Sequence, residues 1–227
     1  MSERKSTRLF LVRHGATVLS AEDRFAGATD VELSDEGVFQ AERLAERLAD
    51  DAISAVYSSP MARTVHTATI IARPHNLTPI LRDGLREIHH GHWEEMRRAD
   101  VEAQFPDEYA AWQEDPFTFA PEGGETGVSV TARALPIIRE ILVQHRGENV
   151  LIVSHKATLR LLISSALGFD GRGYRDRLDQ SPASLNVLDF KDVVHARLML
   201  FNDVSHYMDH PARSGGRLSK WWDDPKA

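Results

Sequence analysis

The 227-residue chain contains no cysteine. That absence excludes disulfides, thiolate-bound zinc, iron–sulfur clusters and a cysteine nucleophile. Long apolar runs are missing as well. The longest early one, Leu9-Phe10-Leu11-Val12, is too short for a secretory leader. No stretch approaches the roughly 18 apolar residues of a membrane span. Positive charge is the minority: 27 Lys and Arg against 34 Asp and Glu give a formal net charge of −7. That balance argues against binding nucleic acid through bulk charge. Lysine is scarce, at 5 against 22 arginines. Arginine suits bidentate phosphate or carboxylate binding, although genomic base composition produces the same bias. With neither leader nor span, the expectation is a cytoplasmic protein, and the lack of cysteine fits a reducing compartment.

What is present organises into alternating strands and helices. The length allows one large domain or two small ones, and no internal repeat interrupts it. Arg8 to Val12 reads as a short buried strand that stops at Arg13-His14-Gly15. Ser34 then caps a helix, with Asp35 and Glu36 in its first turn and Val38, Ala41, Leu44, Ala45 and Leu48 at helical spacing. Ala52 to Tyr57 is a second strand, so the unit implies a right-handed parallel crossover. A helix over Pro60 to Ala72 and a short strand over Thr78 to Leu81 follow. Residues 96–125 form a loop-rich insertion with short helical pieces. Val130 to His145 is a long helix, in which Pro136 marks either a kink or the neighbourhood of the true start. Asn149 to Val153 is a strand, and Thr158 to Leu167 a helix closed by Gly168. Leu185 to Phe190 and Ala196 to Phe201 read as two antiparallel strands. The pattern is one α/β domain over residues 1–210 with a mostly parallel sheet. A polar tail over residues 211–227 carries Trp221-Trp222, which would dock it on the body.

Four segments carry chemistry. In Leu11 to Thr17 an apolar strand delivers Arg13 and His14 to its carboxyl end, and Gly15 permits close backbone approach. Val150 to His155 repeats that grammar with a second histidine. One such histidine is ordinary; two with an adjacent arginine suggest a shared cleft. In Ser58 to Ala68, Arg63 opens a helix just after a strand, where the helix amino terminus and the guanidinium both favour an anion. In Leu85 to Glu94, Glu87 precedes a glycine-containing loop and could serve as a general acid, or be a surface residue in a connector.

Together these segments resemble the histidine phosphatase superfamily, the phosphoglycerate mutase-like proteins. Arg13-His14-Gly15 with Thr17 matches the hallmark triplet. Phe25-Ala26-Gly27 through Asp30, with Leu33-Ser34, Gly37 and Gln40-Ala41, matches the run that follows it. Ser59-Pro60 with Arg63 and Thr67-Ala68 matches the second arginine motif. Leu85 through Glu94, Gly124-Glu125-Thr126, Ser154-His155, and Asn202-Asp203 with Ser205-His206 complete a match from about residue 8 to residue 206. The resemblance implies a three-layer α/β/α sandwich with a mostly parallel central sheet. It implies His14 as the nucleophile that becomes phosphohistidine, Arg13, Arg63 and His155 as the clamp on the phosphoryl oxygens, and Glu87 as the proton donor. Thr17, Ser20, Gly27, Ser154 and Lys156 fall at positions that would bind substrate. No metal or cofactor is expected, since guanidinium groups can meet the charge of phosphoryl transfer.

The departures are Ser20 where many members carry Asn, His90 in place of an aromatic residue, and Glu95 in place of a glycine. They leave the catalytic set intact and bear on substrate preference. The leading expectation is a metal-independent phosphomonoesterase acting on a small phosphorylated metabolite. The alternatives are mutase-type phosphoryl transfer and a non-catalytic binding protein. Arg63 and Glu87 stand only 24 residues apart, without the extra basic stretch of the mutases. The spacing of His89, His90 and His92 fits no standard zinc pattern, so these residues are expected at the pocket mouth or the surface. Arg82, Arg86, Arg97 and Arg98 read either as an extension of the anion site or, by preference, as solvated charges, and Glu102, Asp107, Glu108, Glu114 and Asp115 argue against a highly anionic substrate. The 169–182 loop, with Arg172, Arg175 and Arg177, would close over the site or meet a second subunit in a homodimer. Neither nucleic acid nor a membrane is an expected partner.

Overall fold

Strand β1 (Thr7–Arg13) is apolar on both faces, because helices cover both sides of it. Successive side chains point to opposite faces of a strand. Leu9 and Leu11 accordingly join an apolar cluster with Ile138 and Ile141 of α6 (Gly127–Gln144) and Leu159 and Leu162 of α7 (Lys156–Leu167). Phe10 and Val12 join the opposite cluster, with Ala41 and Leu44 of α2 (Asp35–Leu48) and Ala68 and Ile71 of α3 (Ala62–Ala72). This is the three-layer α/β/α sandwich. The structure, a computed structural model, describes residues 6–21 and 24–209, without the side chains of Ser20 and Ala21. The tail with Trp221-Trp222 and the side chain of Ser20 therefore lie outside the described residues.

The sheet has six strands in the order β3-β2-β4-β1-β5-β6. The strands are β2 (Ile53–Ser58), β3 (Ile80–Leu81), β4 (Asn149–Ser154), β5 (Leu185–Phe190) and β6 (Ala196–Asp203) beside β1. β1 pairs parallel with β4, β4 with β2, and β2 with β3. β5 runs antiparallel to both β1 and β6, so it alone opposes the others. Register across β1 and β4 sets Arg13 opposite Ser154, and the His14 amide donates to the Ser154 carbonyl at 3.1 Å. The carboxyl ends of β1, β4 and β2 therefore release His14, His155 and Ser59 at one edge, where ligands of open α/β sheets bind. The remaining helices are short: α1 (Val18–Ala21), α4 (Arg98–Gln104), α5 (Pro106–Glu114) and α8 (Tyr174–Arg177). α4 and α5 build the insertion around a cluster of Phe25, Trp93, Val101, Tyr109 and Trp112.

Local signals explain most boundaries. Ser34 caps α2 by accepting from the Gly37 amide at 3.2 Å. Gly168, at φ 70°, closes α7 in the left-handed region that glycine tolerates. The helix expected from Pro60 begins at Ala62, because Met61 remains extended. The helix expected from Val130 begins earlier, at Gly127, capped by Thr126, so Pro136 lies well inside it. Pro136 and Ala132 are both exposed, so water can satisfy the carbonyl that the proline leaves without its helical partner.

The loop after β1 packs backbone against backbone on the start of α2. A Cβ on Gly15 would stand 2.3 Å from the Gly37 carbonyl oxygen, and one on Gly37 would stand 2.1 Å from that of Ala16. The same loop is pinned by Ala16 N donating to Gln40 Oε1 at 3.0 Å and by Gly15 N donating to Thr67 Oγ1 at 3.1 Å. Urea unfolding should show Ser34→Ala losing about 1 kcal/mol of stability. Gly37→Ala should lose about 3 kcal/mol and most activity, because its methyl group must displace the loop that carries His14.

Candidate active site

His14 is buried at the end of β1, and its Nδ1 lies 2.7 Å from the Gly15 carbonyl oxygen. A carbonyl only accepts, so Nδ1 carries the proton and Nε2 keeps a lone pair. Burial, followed by the charges of Arg13 and Arg63, holds this imidazole well below the ordinary histidine range. It is therefore a neutral base in a cationic site. His155 stands beside it, with ring centroids 5.3 Å apart. Arg63 Nε donates to His155 Nδ1 at 3.3 Å, which leaves His155 Nε2–H to donate to Ser59 Oγ at 2.9 Å. Burial and the neighbouring Arg63 hold His155 neutral as well. Arg13 donates through Nη1 to the Gln180 carbonyl at 2.7 Å; burial brings it down to about 10, where it still carries its charge at neutral pH.

Arg63 is fixed by a loop rather than by a helix or strand. Its Nη1 donates to Thr29 O at 2.8 Å, and its Nη2 to Gly27 O at 2.9 Å and Ala26 O at 3.3 Å. That loop is in turn held by Glu94. Its Oε1 accepts from Ala28 N at 3.1 Å and His90 N at 2.8 Å, and its Oε2 from Thr29 N at 3.3 Å and Thr29 Oγ1 at 3.1 Å. Gly27 is needed for this approach, because a Cβ there would fall 1.9 Å from Ile88 O. Glu94 thus positions Arg63 through the backbone between them.

Glu87 lies on the amino terminus of α7. Its Oε2 accepts from Ala157 N at 3.0 Å; its Oε1 accepts from Thr158 N and Thr158 Oγ1, both at 3.1 Å, and from Ile88 N at 3.0 Å. Oε2, with a single donor, is the oxygen with room for a proton.

These groups share a cavity of about 220 Å³. Arg13, His14, Thr17, Arg63, Glu87 and Lys156 line it. His155 is fully buried directly behind the lining. Gly27 and Ser154 are not part of the wall: Gly27 acts through its carbonyl on Arg63, and the buried Ser154 hydroxyl donates to Leu85 O at 2.8 Å. Arg98 departs from the expectation of a solvated charge. It lines the cavity 5.2 Å from the Phe25 ring centroid and 5.3 Å from that of Trp112. Arg82 and Arg86 do reach surface carboxylates, Glu140 and Asp83. The acidic residues of the insertion also differ from expectation, since none of the five lines the cavity; Glu108 instead pairs with His92 at 3.2 Å. Of the histidine cluster, His90 lines the cavity, and burial lowers it. Arg175 lines the cavity, 4.4 Å over Trp112, and donates to Trp112 O at 3.2 Å and Gln113 O at 3.0 Å. It joins the 169–182 loop to the insertion. Sequence reasoning missed Arg160 and Tyr174. The signal for Arg160 was its place four residues after Lys156 on one helix face.

Comparison with known proteins follows the same line. The model of the histidine phosphatase superfamily (branch 1) matches residues 9–203. The chain is similar to phosphoserine phosphatase 1 of Hydrogenobacter thermophilus, 35% identical over 163 residues, which cover 72% of this chain and 77% of the relative. It is similar to a glucosyl-3-phosphoglycerate phosphatase of Mycobacterium tuberculosis, 36% identical over 171 residues, covering 72% and 76%. The solved native structure of a mycobacterial glucosyl-3-phosphoglycerate phosphatase superposes with a TM-score of 0.81 at 29% identity, over 87% of this chain and 99% of that one.

Two outcomes test the geometry. Glu94→Ala should lower kcat/KM by about 100-fold, a loss of positioning worth roughly 3 kcal/mol. Glu94→Gln, which keeps one acceptor oxygen, should recover part of that loss in the same steady-state assay. The depressed imidazoles of His14 and His155 also tie stability to pH. Both remain neutral in the folded protein while the unfolded chain protonates its histidines below about pH 6.5. Stability is therefore full above that pH and falls as the pH drops below it. Each residue contributes a slope of about 1.4 kcal/mol per pH unit until the folded imidazole itself protonates. Urea unfolding at pH 7.5 and 5.5 measures the drop, and His155→Gln should flatten it.

Proposed function

The chain belongs to the histidine phosphatase superfamily and is a phosphoric monoester hydrolase; from that premise we propose that it hydrolyses a small phosphorylated metabolite through a phosphohistidine on His14. The observation that carries this reading is the neutral imidazole of His14, with Nδ1 committed to Gly15 O, in a cavity lined by the Arg13 and Arg63 guanidiniums.

In the first step the Nε2 lone pair attacks phosphorus. The nitrogen–phosphorus bond forms as the ester oxygen–phosphorus bond breaks in line. The leaving oxygen takes the electron pair of the broken bond and a proton from Glu87 Oε2. Arg13 and Arg63 meet the charge spread over the equatorial oxygens. In the second step the Glu87 carboxylate removes a proton from water as the water oxygen attacks phosphorus. The nitrogen–phosphorus bond breaks, its electron pair returns to Nε2, and inorganic phosphate leaves. His155 fits the clamp by bearing on Arg63 Nε and Ser59. Thr17 and Lys156, which line the same space, fit substrate contacts. The small cavity and the phosphatase names of the relatives support a small phosphomonoester.

His14→Ala should lower phosphate release by about 10⁴-fold or more while inorganic phosphate still raises its melting temperature. Near-full activity in that variant would overturn the mechanism. Glu87→Gln should cost about 10²–10⁴-fold on alkyl phosphates. It should cost far less on p-nitrophenyl phosphate, whose leaving group needs no proton; equal losses on both would remove Glu87 from the donor role.

A further inference from the structure

Arg13 and Arg63 bear on the same phosphoryl group in the phosphatase reading, yet they are held in different ways. Arg63 is tied by four hydrogen bonds, to His155, Thr29, Gly27 and Ala26. The Arg13 side chain has one hydrogen-bond partner among the described residues, the Gln180 carbonyl at 2.7 Å; its Nε is buried without one. The aim of this buried guanidinium therefore depends on where one carbonyl points. Gln180 belongs to no helix or strand, because it lies in the connection between α8 and β5. No ladder or helical turn holds its peptide, so side chains must.

Three buried amides do so. The peptide unit between Gln180 and Ser181 presents its oxygen to Arg13 and donates its N–H to Asn202 Oδ1 at 2.7 Å. The Gln180 side chain pairs reciprocally with that of Asn186. Gln180 Nε2 donates to Asn186 Oδ1 at 2.9 Å, and Asn186 Nδ2 donates to Gln180 Oε1 at 2.8 Å. Asn186 Nδ2 also donates to Leu11 O at 3.0 Å, and its Oδ1 accepts from Asn202 N at 2.9 Å. Asn186 thus uses all four of its hydrogen-bonding positions. Leu11 stands two residues before Arg13 on β1, so the circuit starts and ends on one strand. Asn202 has φ 47°, in the left-handed region that asparagine tolerates better than most residues. Apolar side chains of similar size would avoid the desolvation of three amides. They would also leave the Gln180–Ser181 peptide free to turn its oxygen away from Arg13.

We propose that the amide cluster of Gln180, Asn186 and Asn202 positions Arg13 for phosphoryl transfer. The proposal rests on the phosphatase reading above. None of the three lines the cavity. They act at a distance, through the Gln180 carbonyl, and so are positioning residues. Such a cluster has leverage, because a misplacement of about 1 Å at a reacting centre can cost roughly 100-fold in rate.

A double-mutant cycle on phosphate release from p-nitrophenyl phosphate tests this. Gln180→Met keeps the length of the side chain and removes its amide; it should lower kcat/KM by about 100-fold. Asn202→Gly suits the backbone at φ 47° and removes only the acceptor of the Ser181 amide, so it should cost about tenfold. Asn202→Asp, which keeps that oxygen, should recover most of the tenfold. In an Arg13→Ala background, Gln180→Met should change kcat/KM by less than about threefold, because residues that act through one another do not add. A loss of the same size in both backgrounds means that the cluster bears on something other than Arg13, and overturns the proposal. Wild-type activity in both Gln180→Met and Asn202→Gly overturns it as well. Where Gln180→Met does not fold, Asn202→Gly takes its place in the cycle. A wild-type protein that releases no phosphate overturns the phosphatase reading and this assignment with it; in every other outcome that reading stands.

Discussion

Arg13 lies opposite Ser154 across the parallel ladder of β1 and β4, and the residues after each pair emerge side by side. A slip of one residue would move His14 by about 3.3 Å along the strand and turn its side chain to the other face. The rest of the site assumes this register. With it, the His14 and His155 rings meet edge to face, Arg63 reaches His155 from α3, and Ser59 receives the far nitrogen. A fully apolar strand pair specifies its register weakly through patterning alone. Here the loops fix it, because the His14 and Ser59 amides extend the ladder by donating to the Ser154 and Val153 carbonyls.

The electrostatics follow from burial. Two imidazoles are placed among guanidiniums that cannot lose their charge, so the histidines yield and remain neutral. Neutral imidazoles and charged guanidiniums are thereby held side by side in one buried site. Glu87 lies outside this logic. It is surrounded by amides at a helix amino terminus, where four donors are directed at two oxygens. Both of its oxygens thus have hydrogen bonds in place.

Much of this was legible in the residues. Strands that end in Arg13-His14-Gly15 and Ser154-His155 announce the sheet edge, and Ser34 and Gly168 mark helix ends through their own hydrogen-bonding and conformational needs. What stayed hidden arises from packing across long sequence distances. Arg98 reads as a surface charge until Phe25 and Trp112 close around it. The acidic residues of the insertion suggest an anionic cover, yet none of the five lines the cavity and the insertion offers it Arg98 and Trp112. Pro136 breaks the helical grammar without breaking the helix, because the carbonyl it strands is exposed to water. Glu94 belongs to a recognisable motif, but its hold on Arg63 passes through backbone carbonyls that no residue type encodes.

The contact between Arg175 and Trp112 has a consequence for how such a molecule can change. The histidines and Arg63 sit on the sheet edge and on a helix that leaves it, whereas this part of the far wall comes from α5, where the Arg175 guanidinium bonds to two of its carbonyls. This part of the lining and the two histidines therefore reside in separate pieces of chain. Exchanging the cover for another of different shape leaves the parallel ladder and its histidines untouched. One base plate can thus carry walls of different shape, with the cover as the replaceable part.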